Sequence, residues 1–219
     1  MTTAISPRDA AERTEPSVRF AKIAADYTNG SNHRGSTKPH ITLNPDAFGI
    51  LSLFEFRPET EGPLNALAEV LLRGESTLTP GERELIAAYV SGLNECRFCF
   101  SCHAAFAAAQ LPEGMALIEQ VRADLERAPV STKMKALLKI AAAVQEGGRN
   151  VDENDVTAAR EVGATDLEIH DTVLIAAAFC MFNRYVDGLA TLAPDDRSFY
   201  ARQAEVIVSA GYRGSPAET

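Results

Sequence analysis

The sequence predicts an all-α fold, and three observations carry that prediction. Apolar residues recur at three- and four-residue spacing, which is the period of an amphipathic helix. Few stretches alternate with a period of two, so the signals of strands and hairpins are weak. Residues that start and stop helices stand at the ends of the periodic stretches. The helical pattern covers eight stretches: residues 47–56, 64–72, 85–93, 104–111, 115–121, 137–144, 156–162 and 167–189.

Three regions of the chain differ in character. Residues 1–40 are polar and rich in turn formers, which predicts an extended arm. Residues 41–211 carry the helical pattern and form the predicted domain, and residues 212–219 predict a frayed tail. Within the domain, two helical hairpins resemble each other loosely, at 80–110 and 151–190. We therefore expect a helical bundle built from two hairpins, with an N-terminal extension.

Capping residues mark the ends of these helices. Residues 79–82 (Thr-Pro-Gly-Glu) form a capping box, so a helix begins at Pro80 and runs to about Gly92. Asn94 is then expected to cap a second helix that begins at Glu95. The other boundaries follow from the same signals: Ser131 to Gly147, a start at Asp152 or Asn154, a capping box of Thr165 with Glu168 before a helix through Leu189, and Pro194 before a last helix to about Ser209.

Length and composition describe an ordinary globular chain. Its 219 residues suffice for a hydrophobic core, and 46% hydrophobic with 23% charged residues exclude collagen-like, disordered and disulfide-scaffold classes. The net charge of −9 argues against binding to nucleic acid or to an anionic membrane. The longest apolar run, residues 172–182, is too short to span a bilayer. The N-terminal residues lack the pattern of a secretory signal or transit peptide, so we expect a cytoplasmic protein.

Three of the four cysteines lie within seven residues, at Cys96, Cys99 and Cys102. In a reducing compartment such clustering indicates redox chemistry or a metal site. On a helix, Cys96, Cys99 and His103 share one face, and His103 lies one turn beyond Cys99. The start of a helix also stabilises a thiolate. The segment thus holds the ingredients of a reactive dithiol: a stabilised thiolate, a resolving thiol and an imidazole for proton transfer.

Glu84 precedes Cys96 by twelve residues. On one unbroken helix the two would lie about 18 Å apart, at about 1.5 Å per residue. Glu84 can therefore join the cysteines only if the chain turns at residues 92–94. A carboxylate buried on the apolar face of the first helix needs a partner, and His103 is the obvious one.

The pattern resembles the alkylhydroperoxidase D-like (AhpD-like) group of the carboxymuconolactone decarboxylase family, and it is carried by Glu84, Ser91, Asn94, Cys96, Cys99 and His103. The likeness covers roughly residues 47–189, including the Asn-Arg-x-x-Asp pattern at 183–187. The run Leu-Thr-Pro-Gly-Glu-Arg-Glu at 78–84 is similar to the branch called peroxidase-related.

The resemblance implies a thiol-dependent hydroperoxide reductase with no bound cofactor. Cys99 would be the peroxidatic thiolate and Cys96 the resolving thiol, and His103 with Glu84 would relay the proton. It also implies a small-molecule hydroperoxide as substrate and an external dithiol reductant, a lipoyl or thioredoxin-like protein. Members of the family are typically homo-oligomers, often trimers or hexamers.

Two alternatives stay open at the level of sequence. One is a thiol–disulfide oxidoreductase that acts on a protein partner; the other is a metal- or redox-sensing protein that also uses Cys102. A zinc site is the weaker reading, because all four possible ligands lie on two turns of one helix. Cys180, in an apolar run, is expected to be buried and inert. Arg184 and Asp187 are expected to form a local ion pair, a buried network or a subunit contact.

Overall fold

The structure is a computed structural model that describes residues 38–213. Most of the predicted arm and residues 214–219 of the predicted tail lie outside this range. Within it the chain forms nine α-helices and two short 3₁₀ helices, Pro58–Thr60 and Gly148–Asn150, with no β-strand. The all-α prediction is confirmed. The helices are α1 Gly49–Phe56, α2 Glu61–Arg73, α3 Pro80–Leu93, α4 Arg97–Ala108, α5 Met115–Ala123, α6 Thr132–Glu146, α7 Glu153–Glu161, α8 Asp166–Gly188 and α9 Arg197–Ala210.

The third helix, α3, is the centre of the bundle. It packs against α4, α6 and α8, and every residue from 83 to 93 is buried. Burial on all sides suits its sequence, since alanine and glycine alternate with larger apolar residues and let neighbouring helices approach. The same helix also buries three polar side chains, Arg83, Glu84 and Ser91. Buried polar groups require partners, so the site is best sought around this helix.

Most of the predicted helix boundaries are confirmed. Reciprocal hydrogen bonds close capping boxes at Thr79 with Glu82 and at Thr165 with Glu168. Asp152 caps α7, and α6 ends before Gly147. The last helix begins at Arg197, three residues after Pro194, with Asp196 as its cap. None of the helices within residues 38–213 has the length and hydropathy needed to cross a membrane.

The predicted start of α4 is wrong by two residues. The helix begins at Arg97, and Cys96 occupies the N-cap position with an extended backbone. Glu95 has a φ of 59°, in the left-handed region, and reverses the chain between α3 and α4. Asn94 therefore does not cap α4. Glu95 and Cys96, which the sequence pattern assigns to the first turn of α4, belong instead to the connection that precedes the helix.

Asn94 is instead a bridge between helices. Its side-chain amide donates to Asn183 Oδ1 at 2.8 Å, and its carbonyl accepts from Gln145 Nε2 at 2.9 Å. Asn183 in turn donates to Ser91 Oγ at 3.0 Å. This chain joins α3, α6 and α8 behind the cysteines, so Ser91 and Asn94 of the predicted motif support the α3–α4 hairpin from its inner side.

Candidate functional site

The α3–α4 hairpin brings Glu84 and His103 together. The chain turns where the prediction requires it, and the two helices pack side by side. His103 Nδ1 donates to Glu84 Oε2 at 2.7 Å. Glu84 is fully buried, so this hydrogen bond provides the partner that a buried carboxylate needs. Because the chain reverses between α3 and α4, Glu84 lies beside the helix that carries Cys99 and His103 instead of at the far end of one long helix.

Tyr212 supplies a second partner to Glu84. Its hydroxyl donates to Glu84 Oε1 at 2.6 Å and lies 3.5 Å from His103 Nδ1. Burial raises the pKa of the Tyr212 hydroxyl well above its usual range, and the charge of Glu84 raises it further. The phenol is thus a permanent donor. Nothing local in the sequence marks this residue, which stands alone at the start of the predicted tail.

Aromatic rings fix the orientation of the His103 imidazole. Phe179 and Phe106 meet it edge to face, with centroid distances of 4.5 and 5.2 Å. The ring of Tyr212 lies nearly parallel to it, at 18° and 6.4 Å. Because Nδ1 is bound to Glu84, Nε2 is the ring nitrogen left for proton exchange.

A cavity of about 310 Å³ opens onto these groups. Cys99, Cys102 and His103 of α4 line one wall, and Tyr212 lines it as well. The other walls are mainly aromatic and aliphatic and come from α1, α2, α4, α8 and α9: Ile50, Leu51, Phe54, Leu64, Ala68, Phe98, Phe106, Phe179, Phe182, Val206 and Ile207. Such a cavity suits a small ligand with an apolar body.

The two cysteines of the Cys-x-x-Cys sequence occupy different environments. Cys99 is the third residue of α4 and lines the cavity with 5% of its surface exposed, whereas Cys96 is fully buried. Burial raises the pKa of the Cys96 thiol well above its ordinary value, and the adjoining Cys99 raises it further. Cys96 is therefore held as a thiol in contact with Cys99. All four cysteines are free in this structure.

Asp187 of α8 interacts with the thiol of Cys96. Burial raises the pKa of the Asp187 carboxyl to about 7, while a hydrogen bond with Cys96 opposes that rise. The charge of Asp187 in turn raises the pKa of Cys96. The interaction with Cys96 is of the kind expected of a network, and the subunit contact expected for Asp187 stays a prediction. Arg184 donates to the backbone carbonyl of Cys180 at 2.9 Å.

The phenylalanines of α4 divide between cavity and core. Phe98 and Phe106 line the cavity, whereas Phe100 packs against the main core beneath the guanidinium of Arg122. Cys102 lines the cavity too, and burial raises its pKa well above the ordinary value. Cys180 is half-buried rather than fully buried. Across residues 38–213 the fold gathers no group of three or more His, Cys, Asp or Glu side chains that could hold a metal ion.

Comparison with known proteins bears on both the motif and the fold. The model of the carboxymuconolactone decarboxylase family matches residues 58–110, which hold the α3–α4 hairpin. No curated protein matches the chain.

Three solved structures share the fold. An uncharacterized peroxidase-related protein from Silicibacter sp. TM1040 is 28% identical over 71% of this chain and 79% of its own, with a TM-score of 0.63. An uncharacterized peroxidase-related protein from Ralstonia eutropha JMP134, described as an alkylhydroperoxidase AhpD core, is 23% identical over 93% and 96%, with a TM-score of 0.62. A protein from Agrobacterium tumefaciens, of unknown function and linked by its description to AhpD and antioxidant defence, is 22% identical over 68% and 99%, with a TM-score of 0.58.

The last two likenesses bear on the fold alone, and the family match covers the segment that carries the cysteines and the Glu84–His103 pair. The chain thus carries a segment similar to the carboxymuconolactone decarboxylase family and has the fold of AhpD-like, peroxidase-related proteins.

Proposed function

We propose that the protein is a thiol-dependent hydroperoxide reductase. The observation that carries the proposal is that Cys99 and His103 line the same apolar cavity, while a buried carboxylate holds His103 from behind. Reduction of an organic hydroperoxide needs a thiolate, a proton donor for the departing oxygen and a site that receives an apolar substituent. These three requirements meet in this cavity.

The first step takes place at Cys99. The Cys99 thiolate attacks the terminal oxygen of a hydroperoxide ROOH, so an S–O bond forms and the O–O bond breaks. Cys99 becomes a sulfenic acid, and the departing alkoxide takes a proton from His103 to leave as the alcohol ROH. Glu84 holds Nδ1 of His103, which directs Nε2 to this transfer.

The second step joins the two cysteines. The Cys96 sulfur attacks the sulfenic sulfur of Cys99, a disulfide forms, and the oxygen leaves as water. Cys96 has an extended backbone outside the helix, which gives its sulfur the freedom to reach Cys99. Cys102 lies inside α4, one turn beyond Cys99, where the helical backbone constrains a disulfide.

An external dithiol closes the cycle. It reduces the Cys96–Cys99 disulfide and is itself oxidised to a disulfide, so the net reaction converts ROOH and a dithiol into ROH, water and the oxidised dithiol. Because Cys99 lies at the wall of a cavity rather than on the open surface, a slender reductant such as a lipoyl arm reaches it better than a flat protein face. This cycle needs a reducing compartment, as the expected cytoplasmic location provides.

A thiol count tests the proposal. One equivalent of cumene hydroperoxide is added to the reduced protein, and free thiols are measured over time. We expect rapid loss of two thiols in the wild type, none in Cys99→Ser, and two in the control Cys180→Ser. In Cys96→Ser one thiol is lost and a sulfenic acid accumulates, which dimedone traps.

Slow or absent thiol loss in the wild type would contradict the proposal. Loss of two thiols in Cys99→Ser would contradict the assignment of Cys99. If cumene hydroperoxide has no effect while an oxidised protein partner rapidly forms the Cys96–Cys99 disulfide, the protein is a thiol–disulfide oxidoreductase instead.

A further inference from the structure

We propose that Tyr212 is a positioning residue of this site, one that acts on Cys99 through Glu84 and His103. The inference deepens the proposed function and rests on it. It concerns a residue that lies outside the segment matched by the family and outside the predicted helical domain.

Tyr212 and His103 each bind one oxygen of the Glu84 carboxylate. Tyr212 donates to Glu84 Oε1 at 2.6 Å, and His103 Nδ1 donates to Oε2 at 2.7 Å. Any rotation of the Glu84 carboxylate would break one of these hydrogen bonds. The phenol therefore restricts Glu84 to the orientation in which it meets Nδ1.

The backbone of Tyr212 is itself held in place. Its N–H donates to Glu69 Oε2 of α2 at 2.7 Å. Gly211, with a φ of 75°, has that same carboxylate where a side chain would begin, 2.6 Å from an ideal Cβ. Arg73 lies 3.9 Å from Glu69 and donates to the Val208 carbonyl at 3.1 Å. These contacts tie the chain after α9 to α2, which is not the behaviour of a frayed end.

The charges around Glu84 decide in which direction the loss of the Tyr212 hydroxyl shifts the pH at which Cys99 becomes reactive. Arg83 acts on Glu84 from within α3, Cys102 faces both Glu84 and Tyr212 from α4, and Arg73 faces Tyr212 from α2. When Cys99 becomes reactive, the group of Cys99, His103 and Glu84 has lost one proton and carries one more negative charge. A hydrogen bond donated to Glu84 stabilises that more negative state. Its removal therefore raises the pH at which Cys99 becomes reactive.

The test is the pH profile of Cys99 alkylation by iodoacetamide, resolved by site with mass spectrometry. In Tyr212→Phe we expect the midpoint to rise by about one pH unit, so that alkylation below the midpoint is about ten-fold slower, with the same limiting rate at high pH. The matched control is Tyr200→Phe, since Tyr200 is a buried tyrosine that donates to the Pro194 carbonyl. Its profile should match the wild type.

Two further variants separate positioning from a loss of stability. Gly211→Ala displaces Tyr212 without truncating it, and we expect the same upward shift of the midpoint. In a Glu84→Gln background, Tyr212→Phe should produce no additional shift, because the phenol acts through the carboxylate. The opposite results, an unshifted midpoint in Tyr212→Phe and Gly211→Ala or an equal shift with and without Glu84, would overturn the inference.

This experiment is independent of peroxide. A wild type that fails to lose thiols with cumene hydroperoxide defeats the proposed function, while the alkylation profile still reports on Tyr212. Normal thiol loss together with an unshifted profile in Tyr212→Phe defeats only the present inference.

Discussion

At the scale of single residues, the site combines groups that the sequence reveals with groups that it hides. The pairing of Glu84 with His103 could be predicted, because a carboxylate on an apolar helix face needs a partner and the helix register supplies one candidate. Tyr212 and the interaction of Asp187 with Cys96 could not be predicted. Both join residues that are far apart in the chain, and neither has a local signal.

Asp187 makes a prediction about stability and pH. Its carboxyl pKa is raised from 3.8 to about 7, so the folded protein binds a proton there that the unfolded chain has lost. The stability this proton provides is fully present below pH 4 and is lost as the pH rises through 7. At about 1.4 kcal/mol per pKa unit, this proton contributes up to about 4 kcal/mol to the free energy of unfolding.

The variant Asp187→Asn cannot lose this proton. We measure the free energy of unfolding of both proteins by urea denaturation at each pH. The value for Asp187→Asn minus that for the wild type should increase from pH 4 to pH 8. The control Asp196→Asn should show no such change between pH 4 and pH 8, because hydrogen bonds with Ser198 lower the pKa of Asp196 in the folded state and keep its titration below this range. A difference between Asp187→Asn and wild type that stays constant with pH would contradict the argument.

At the scale of elements, a helix boundary could be predicted where the residues that cap it lie close together in sequence. The capping boxes at Thr79 and Thr165 use residues three apart in sequence, and both are present as predicted. The start of α4 was not predictable, because Asn94 has the residue type of an N-cap but meets two other helices instead. The tertiary hydrogen bonds of Asn94 prevailed over its local preference, and Glu95 took up the backbone strain of the turn.

A substitution of Asn94 distinguishes the two roles. Aspartate caps helices as well as asparagine, so Asn94→Asp would be nearly neutral if Asn94 were a cap. As a bridge, Asn94 must donate to Asn183 Oδ1, and aspartate cannot. We expect Asn94→Asp to lower the free energy of unfolding by about 1–3 kcal/mol, the cost of leaving buried polar groups without partners.

The matched control for this experiment is Asp152→Asn, at a true N-cap of α7. It exchanges the same two residue types in the opposite direction and should change the free energy of unfolding by only a few tenths of a kcal/mol. Equal effects of the two substitutions, measured by urea denaturation, would mean that Asn94 acts as no more than a cap.

At the scale of the whole molecule, the fold was predictable because the helical period runs through nearly the entire domain. The cavity was not, since its walls come from five helices that lie far apart in the sequence. The helical pattern does identify which residues are apolar. It does not show which of those apolar residues remain exposed once the bundle has formed.

One such set of exposed residues lies along α8. Leu167, Leu174 and Met181 are seven residues apart and are exposed by 50, 39 and 44%. Ala177 is exposed between them. Seven-residue spacing forms a straight apolar seam, which a second helix with the same spacing can cover. Two copies of α8 related by a two-fold axis are self-complementary, and the AhpD-like resemblance also implies a homo-oligomer.

We therefore expect α8 to form an interface between copies of this chain. Light scattering after gel filtration should give the wild type a mass that is a multiple of 23.6 kDa. Leu174→Glu places a charge at the middle of the seam, which costs far more in a buried interface than in water, and should shift the mass to that of one chain. The control Val70→Glu alters a side chain that is 62% exposed on α2 and should leave the mass unchanged. A wild type with the mass of one chain, or an unchanged assembly in Leu174→Glu, would show that this seam faces solvent.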